Sequence, residues 1–350
     1  MSFKINAICL KFISILSFML ICLTGYSQYN FKAVDSFLIT KQKDLGNDLA
    51  TIIYKDGKII YQKALGEEFT LKTRAPITGS SKWLTAALVM TFVDEGKISL
   101  DEKVSNYLPI FETYGKTYIT IRQCLSQTIG IADNSKSITK LLDKKKFETL
   151  EEEVNSFVKK EIAANPGTTF FYGNMGPNIA GRVLEVITKK SFDVLMKQRI
   201  FTPLEMKNSS FVPENGSVNP SLGAESTATD YMNFLAMLLD KGMYKGKRIL
   251  SEKAVAEMQT IQTKKAVKKY PPQLTEGYEY GLGEWIQEQD GDGNSVVVSS
   301  PALVGTFPYL DKCRNYACIF FVKKQLGEQK KELYQELKKR IDAQIKSDCK

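Results

Sequence analysis

The 350-residue sequence predicts a mixed α/β (α+β) protein: an antiparallel sheet flanked by N- and C-terminal helices, with a mainly helical subdomain inserted. Three observations carry that prediction. Strand-like runs lie towards both ends of the chain, they come as hairpins, and the stretch between them reads as helix. Strands joined by tight turns pair antiparallel, because a parallel pair needs a long crossover.

Each element can be justified in order. Lys4 and Lys11 precede the apolar run FISILSFMLICL, which is too short to span a bilayer. Small residues Gly25 and Ser27 follow at the two positions a signal peptidase inspects. This pattern predicts a secretory signal over residues 1–27, a mature chain starting at Gln28, and export to the periplasm or beyond the cell. Cys22 raises the alternative of a lipid anchor, against which the bulky Ile21 before it counts. No other stretch is apolar enough for a transmembrane helix.

FKAVDSFLITKQK is an amphipathic helix, and DLATIIYKDGKIIYQKAL alternates about Asp56-Gly57, a two-residue hairpin turn. A helical run over 80–95 ends at Gly96, where a helix-terminating glycine belongs. Short helices and polar loops follow in SLDEKVSNYLPIF and TIRQCLSQTIGIADN. From 149 to 240 the pattern is mostly helical, through LEEEVNSFVKKEIAA, GPNIAGRVLEVITKK, SFDVLMKQRIF and ATDYMNFLAMLLDKG. Strand character returns in YEYGLGEWIQEQ, SVVVSS, LVGTFPYLD and NYACIFFVKK. KKELYQELKKRIDAQIK closes the chain as a helix that, with the first, would cover one face of the sheet. The sheet part is expected over about 28–80 and 245–345, and the helical part over about 81–244.

Composition narrows the function classes. Apolar residues make up 43% and charged residues 25%, ordinary values for a globular protein. The formal charge is +9, and +7 once Lys4 and Lys11 are removed. DKKKFE and TKKAVKKY invite a nucleic-acid reading, but no aromatic platform interleaves them, so no nucleic-acid partner is expected. The chain has no histidine, which excludes a histidine-based triad and leaves no metal or other cofactor expected. Export would place Cys124, Cys313, Cys318 and Cys349 in a disulfide-permissive compartment. Four cysteines allow three pairings; Cys313 and Cys318, flanking RNYA, form one candidate bridge and are otherwise buried thiols.

The residues with the most chemistry sit at TGSSKWL, residues 78–84, where a lysine opens an apolar helix. ITGSSKWLTAALVMTFVDEGKISLDEKVSNYLP resembles the nucleophile helix of the serine β-lactamase and penicillin-binding protein superfamily. The branch it resembles holds class C β-lactamases, D-Ala-D-Ala peptidases and related esterases. The likeness runs from about 30 to 340 and includes PGTTFFYGNMGPNIAGRVLE, IFTPLEMKNSSF, STATDYMNFLAMLLDKG and YGLGEW.

That resemblance implies three motifs. The first is Ser-x-x-Lys, with the lysine one helical turn after the nucleophile so that its amine can relay the hydroxyl proton. In register with Lys82 the nucleophile position is Gly79, which has no hydroxyl. Ser80 and Ser81 stand at offsets that do not face the amine, and Thr78 precedes the helix; Thr78 or Ser80 is expected to cap it and Ser81 to pack. The second motif, Tyr-x-Asn, is Tyr172-Gly173-Asn174. It implies that Tyr172 partners Lys82 in proton transfer and that Asn174 holds a substrate amide. Tyrosine could do this near neutral pH only if cations such as Lys82 depress its pKa. The third, Lys/His-x-Gly, aligns with Ser300-Pro301-Ala302, where the basic residue is Ser300 and the glycine has become Ala302.

By the same resemblance the oxyanion donors would be the backbone N–H groups of Gly79 and Leu303, and Gly79 is expected to open space for a water or an approaching carbonyl. Gln127, Ile129 and Glu225 read as drifted positions around the cleft. Trp83, Trp285, Tyr280 and Phe307 read as core or cleft-wall aromatics. The expectation is an exported, catalytically inactive homologue that binds a small-molecule or peptide ligand of peptidoglycan or acyl type, or a protein partner. The alternative is an active hydrolase in which Lys82 and Tyr172 activate water or a neighbouring hydroxyl.

Overall fold

The computed structural model describes residues 29–131, 147–211, 216–269, 271–302, 304–323 and 331–349. The predicted signal at 1–27 and the expected oxyanion donor Leu303 lie outside them. Helix α1 (Lys32–Thr40) leads into β1 (Leu49–Lys55) and β2 (Lys58–Leu65). Their turn places Asp56 at φ +50° and Gly57 at φ +80°, the left-handed pair a two-residue hairpin requires. Helix α2 (Ser81–Asp94) opens the middle of the chain, followed by α3 (Leu150–Val158), β3 (Thr169–Phe171), α4 (Met175–Thr188), α5 (Ala228–Leu239) and α6 (Glu252–Met258). Then come β4 (Val267–Lys269), β5 (Glu279–Tyr280), β6 (Trp285–Gln289), β7 (Ser295–Ser299), β8 (Phe307–Asp311) and β9 (Tyr316–Val322), closed by α7 (Lys331–Asp342).

The principal sheet has the order β5-β6-β7-β8-β9-β1-β2, and every pairing in it is antiparallel, as the hairpins predict. β9 joins the two ends of the chain by pairing with β1 over Leu49↔Val322 to Lys55↔Tyr316. All seven of its residues are buried, and their side chains alternate between two cores. Ala317, Ile319 and Phe321 face the layer containing α2, α4 and α5. Tyr316, Cys318, Phe320 and Val322 face α1 and α7, so the terminal helices do cover one face. A strand enclosed on both faces must be apolar at every position, which explains the unbroken run YACIFFV.

Helix α2 is likewise enclosed, with every residue from Ser81 to Phe92 buried. Gly283 (φ +78°) lets the chain entering β6 rest directly on it: a Cβ there would stand 2.6 Å from both the Lys82 carbonyl oxygen and the Ala86 Cβ. The turn of sequence that carries Lys82 is therefore clamped between the sheet and the helical layer.

One cysteine expectation is corrected. Cys313 does not bridge to Cys318; it forms a disulfide with Cys349, after the closing helix. Cys318 lies in β9 opposite Tyr309 and points into the α1/α7 core, while Cys313 sits in the β8–β9 turn facing the C-terminal tail. There the Asp348 N–H donates to the Cys313 carbonyl. Cys318 and Cys124 are buried free thiols, and burial pushes both pKa values up.

Candidate functional site

The turn Thr78–Ser80 that precedes α2 is held by three segments. Ile77 N–H donates to the Ala224 carbonyl, and Ala224 N–H donates back to Ser81 Oγ (3.1 Å). Ser80 Oγ donates to the Ser300 carbonyl (2.5 Å), and Tyr231 donates to the Ser80 carbonyl (3.0 Å). The expected helix cap is therefore not made: Ser80 is spent on Ser300, and no side chain caps α2. Thr78 takes φ +36°, a strained value for a β-branched residue, and its buried Oγ1 has no hydrogen-bond partner among the described residues.

Gly79 faces the other motifs. A Cβ built on it would lie 3.1 Å from Tyr172 Oη, 3.3 Å from the Pro301 carbonyl oxygen and 3.7 Å from Ala302 Cα. The space expected beside this glycine is thus not open. Tyr172 and the loop segment after β7 have closed on it to distances that even a methyl group would find tight. Ser300 and Ala302 are themselves buried, and Ala302 is held by its N–H donating to the Thr306 carbonyl (2.7 Å).

Lys82 is 1% exposed. Its Nζ donates to Asn174 Oδ1 and to the Ser221 carbonyl, each at 3.4 Å, and stands 4.8 Å from the centre of the Tyr172 ring. No carboxylate is paired with it among the described residues, so burial lowers its pKa from 10.5 to about 7. A lysine in that state is part neutral at physiological pH and can accept a proton.

Tyr172 departs from expectation. Its ring packs among Phe170, Tyr280 and Trp285, with centroids 6.4, 6.1 and 5.1 Å away. Burial raises its pKa above the ordinary value of 10, and the neighbouring Trp285 offsets this only in part. Lys82, itself tending to neutrality, does not depress it. The phenol therefore stays protonated and acts as a hydrogen-bond donor or acceptor, not as a phenolate base.

A second layer connects Lys82 to a half-buried acid. Ser221 Oγ donates to the Asn174 carbonyl (2.8 Å), and Ser221 N–H donates to Asn178 Oδ1 (2.9 Å). Asn178 Nδ2 donates in turn to the Glu153 carboxylate (3.0 Å), whose pKa burial raises to about 7. Gln127 holds the Tyr172 loop from the other side. Its Oε1 accepts from Gly173 N–H (3.1 Å) and its carbonyl accepts from Phe171 N–H (2.9 Å). Far from a loosened position, Gln127 is a brace, whereas Glu225 pairs with Arg74 on the surface at 2.7 Å.

Residues 45–340 match the Beta-lactamase family over most of the chain. The chain belongs to that family. Among solved structures, a putative beta-lactamase from Bacteroides dorei DSM 17855 superposes with a TM-score of 0.81 at 27% identity, covering 90% of this chain and 99% of that one. A penicillin-binding protein from Bacillus halodurans shares the fold at 20% identity (TM-score 0.67; 87% and 98% covered). Among curated proteins, penicillin-binding protein 4 of Amycolatopsis lactamdurans is 30% identical over 210 residues, 51% of this chain and 54% of its own length. Protein flp of Staphylococcus aureus (strain MW2) is 28% identical over 174 residues, 47% of this chain and 34% of its own. The alignments thus span about a third to a half of these curated relatives.

Within this β-lactamase-family fold, the structure gathers Gly79, Lys82, Tyr172, Asn174, Ser300 and Ala302 at one place. Trp285 and Tyr280 line the Tyr172 side of it, Trp83 packs edge-on against Phe234 in the core, and Phe307 belongs to the opposite core. Sequence reasoning missed Ser221, Asn178 and Glu153. Glu153 carried a readable signal, since it shares the helix face of Leu150 and Phe157, both buried.

Proposed function

We propose that this protein is a non-acylating member of the β-lactamase family, exported from the cell, that binds a peptide- or acyl-type ligand at the Lys82–Tyr172 site without covalent turnover. The observation that carries the reading is Gly79. It occupies the place that faces Tyr172 Oη and the Pro301–Ala302 segment, and it offers no hydroxyl to attack a carbonyl. Ser80 and Ser81 are engaged elsewhere, in hydrogen bonds to the Ser300 carbonyl and from Ala224 N–H. A donor set suited to a carbonyl or amide remains: Asn174, the Tyr172 hydroxyl and the backbone at Gly79, with Leu303 proposed as its counterpart. Export is supported by the N-terminal pattern and by the Cys313–Cys349 disulfide. Titrating the protein with an N-acyl-D-Ala-D-Ala peptide by calorimetry, while following free D-Ala, tests the reading. Saturable binding that is lost in Asn174→Ala, with no D-Ala released, is expected; release of D-Ala overturns it.

A second reading is favoured by the state of Lys82. An amine with a pKa of about 7 could take a proton from water and make the site hydrolytic without a covalent intermediate. Turnover abolished in both Lys82→Ala and Tyr172→Phe would establish this alternative.

A further inference from the structure

Away from the Lys82 site, a cavity of about 520 Å³ opens between α5, α6 and the β7–β8 edge, within the range of small-molecule sites. Ser295, on its wall, begins β7, whereas Ser300 follows the end of that strand. At 3.3 Å per residue the two sites are roughly 16 Å apart. Leu238, Val255 and Leu310 give the cavity an apolar floor.

Its charges are all lysine but one. Lys241 is paired with Glu252 (2.7 Å) at the exposed mouth, which cancels both. Lys312 is different. Its side chain is exposed along the cavity wall, its Nζ donates to Ser295 Oγ (2.8 Å), and no carboxylate stands within ion-pair distance of it among the described residues. Lys264, exposed and also without an ion-pair partner among the described residues, reaches from the far wall toward the β6–β7 turn, its Nζ 3.9 Å from where a Gly293 Cβ would stand. Two ammonium groups without ion-pair partners above an apolar floor set up a positive potential that favours an anion carrying an apolar body.

We propose that this cavity is a second binding site, for a small organic carboxylate with an aliphatic body. The carboxylate sits between Lys312 and Lys264, and the aliphatic body lies on Leu238, Val255 and Leu310. The site is independent of the chemistry at Lys82. Calorimetric titration with hexanoate, 1-hexanol and inorganic phosphate tests it. Hexanoate is expected to bind at one site, with hexanol and phosphate each at least about threefold weaker, within the range of one exposed charge contact. Lys312→Met and Lys264→Met should each weaken hexanoate about threefold, while Asn174→Ala leaves it unchanged. Absence of hexanoate binding, equal affinity for either control ligand, or binding indifferent to both lysine substitutions overturns the proposal. Lys264 is exposed, so its variant keeps the test decisive should Lys312→Met not fold.

Discussion

Lys82 and Glu284 show how burial acts on single groups, in opposite directions. Lys82 is shifted down to about 7, so between pH 7 and 10.5 the unfolded chain binds a proton there that the folded protein does not. Stability contributed at this position rises with pH across that window and is lost below it. Relative to Lys82→Met, the wild-type protein should gain up to about 1.4 kcal/mol per pH unit from pH 7 to 8.5, measured by urea unfolding. A flat difference would mean that the amine is solvated or paired. Glu284 is buried on the face of α2, its oxygens without hydrogen bonds among the described residues, and burial raises its pKa well above 4.5. Here the folded protein keeps a proton that the unfolded chain has released, so stability falls as pH rises above 4.5. Glu284→Gln should therefore raise the urea midpoint at pH 7 and flatten its decline with pH.

At the scale of elements, the site is a set of loops anchored by residues far apart in sequence. The Tyr172 loop is tied to Gln127, and the Lys82 turn is tied through Ser221 and Asn178 to Glu153 on α3. Asn178→Ala would strand the Glu153 carboxyl, while the Ser221 N–H keeps its second acceptor, Asn219 Oδ1 (3.0 Å), so thermal unfolding should register a loss of about 1–3 kcal/mol for the one group left unpaired. The Cys313–Cys349 bridge closes a 36-residue separation and fixes the tail after α7 to the β8–β9 turn. Cys349→Ser should cost about 2–4 kcal/mol, with the C-terminal amides losing hydrogen-exchange protection before the sheet does. If every amide lost protection equally, α7 would be held by its packing alone.

Across the whole molecule, legibility followed locality. The Asp56-Gly57 hairpin, the continuous apolar run of β9 and the helix opened by Lys82 are written in contiguous residues, and their period or turn chemistry reveals them. What sequence could not show was assembled from separate segments. The partner of Cys313 lies beyond the closing helix. The closing of Tyr172 and Pro301 onto Gly79 joins three loops. The raised pKa of Tyr172 depends on which rings surround it, and Lys82 cannot lower it because the same burial discharges the lysine. Lys82, Tyr172 and the 300–302 segment each carry their own local pattern in the sequence, whereas the state of the groups there depends on their surroundings.

The central claim is that no side chain at this site forms an ester with a substrate, because the residue facing Tyr172 and the 300–302 segment is glycine. The most direct measurement is the intact mass of the protein after prolonged incubation with a fluorescent penicillin and with an activated short-chain ester. The account predicts an unchanged mass in both cases. A stoichiometric mass increase that maps by peptide analysis to Thr78, Ser80, Ser81 or another side chain of this cleft would contradict it.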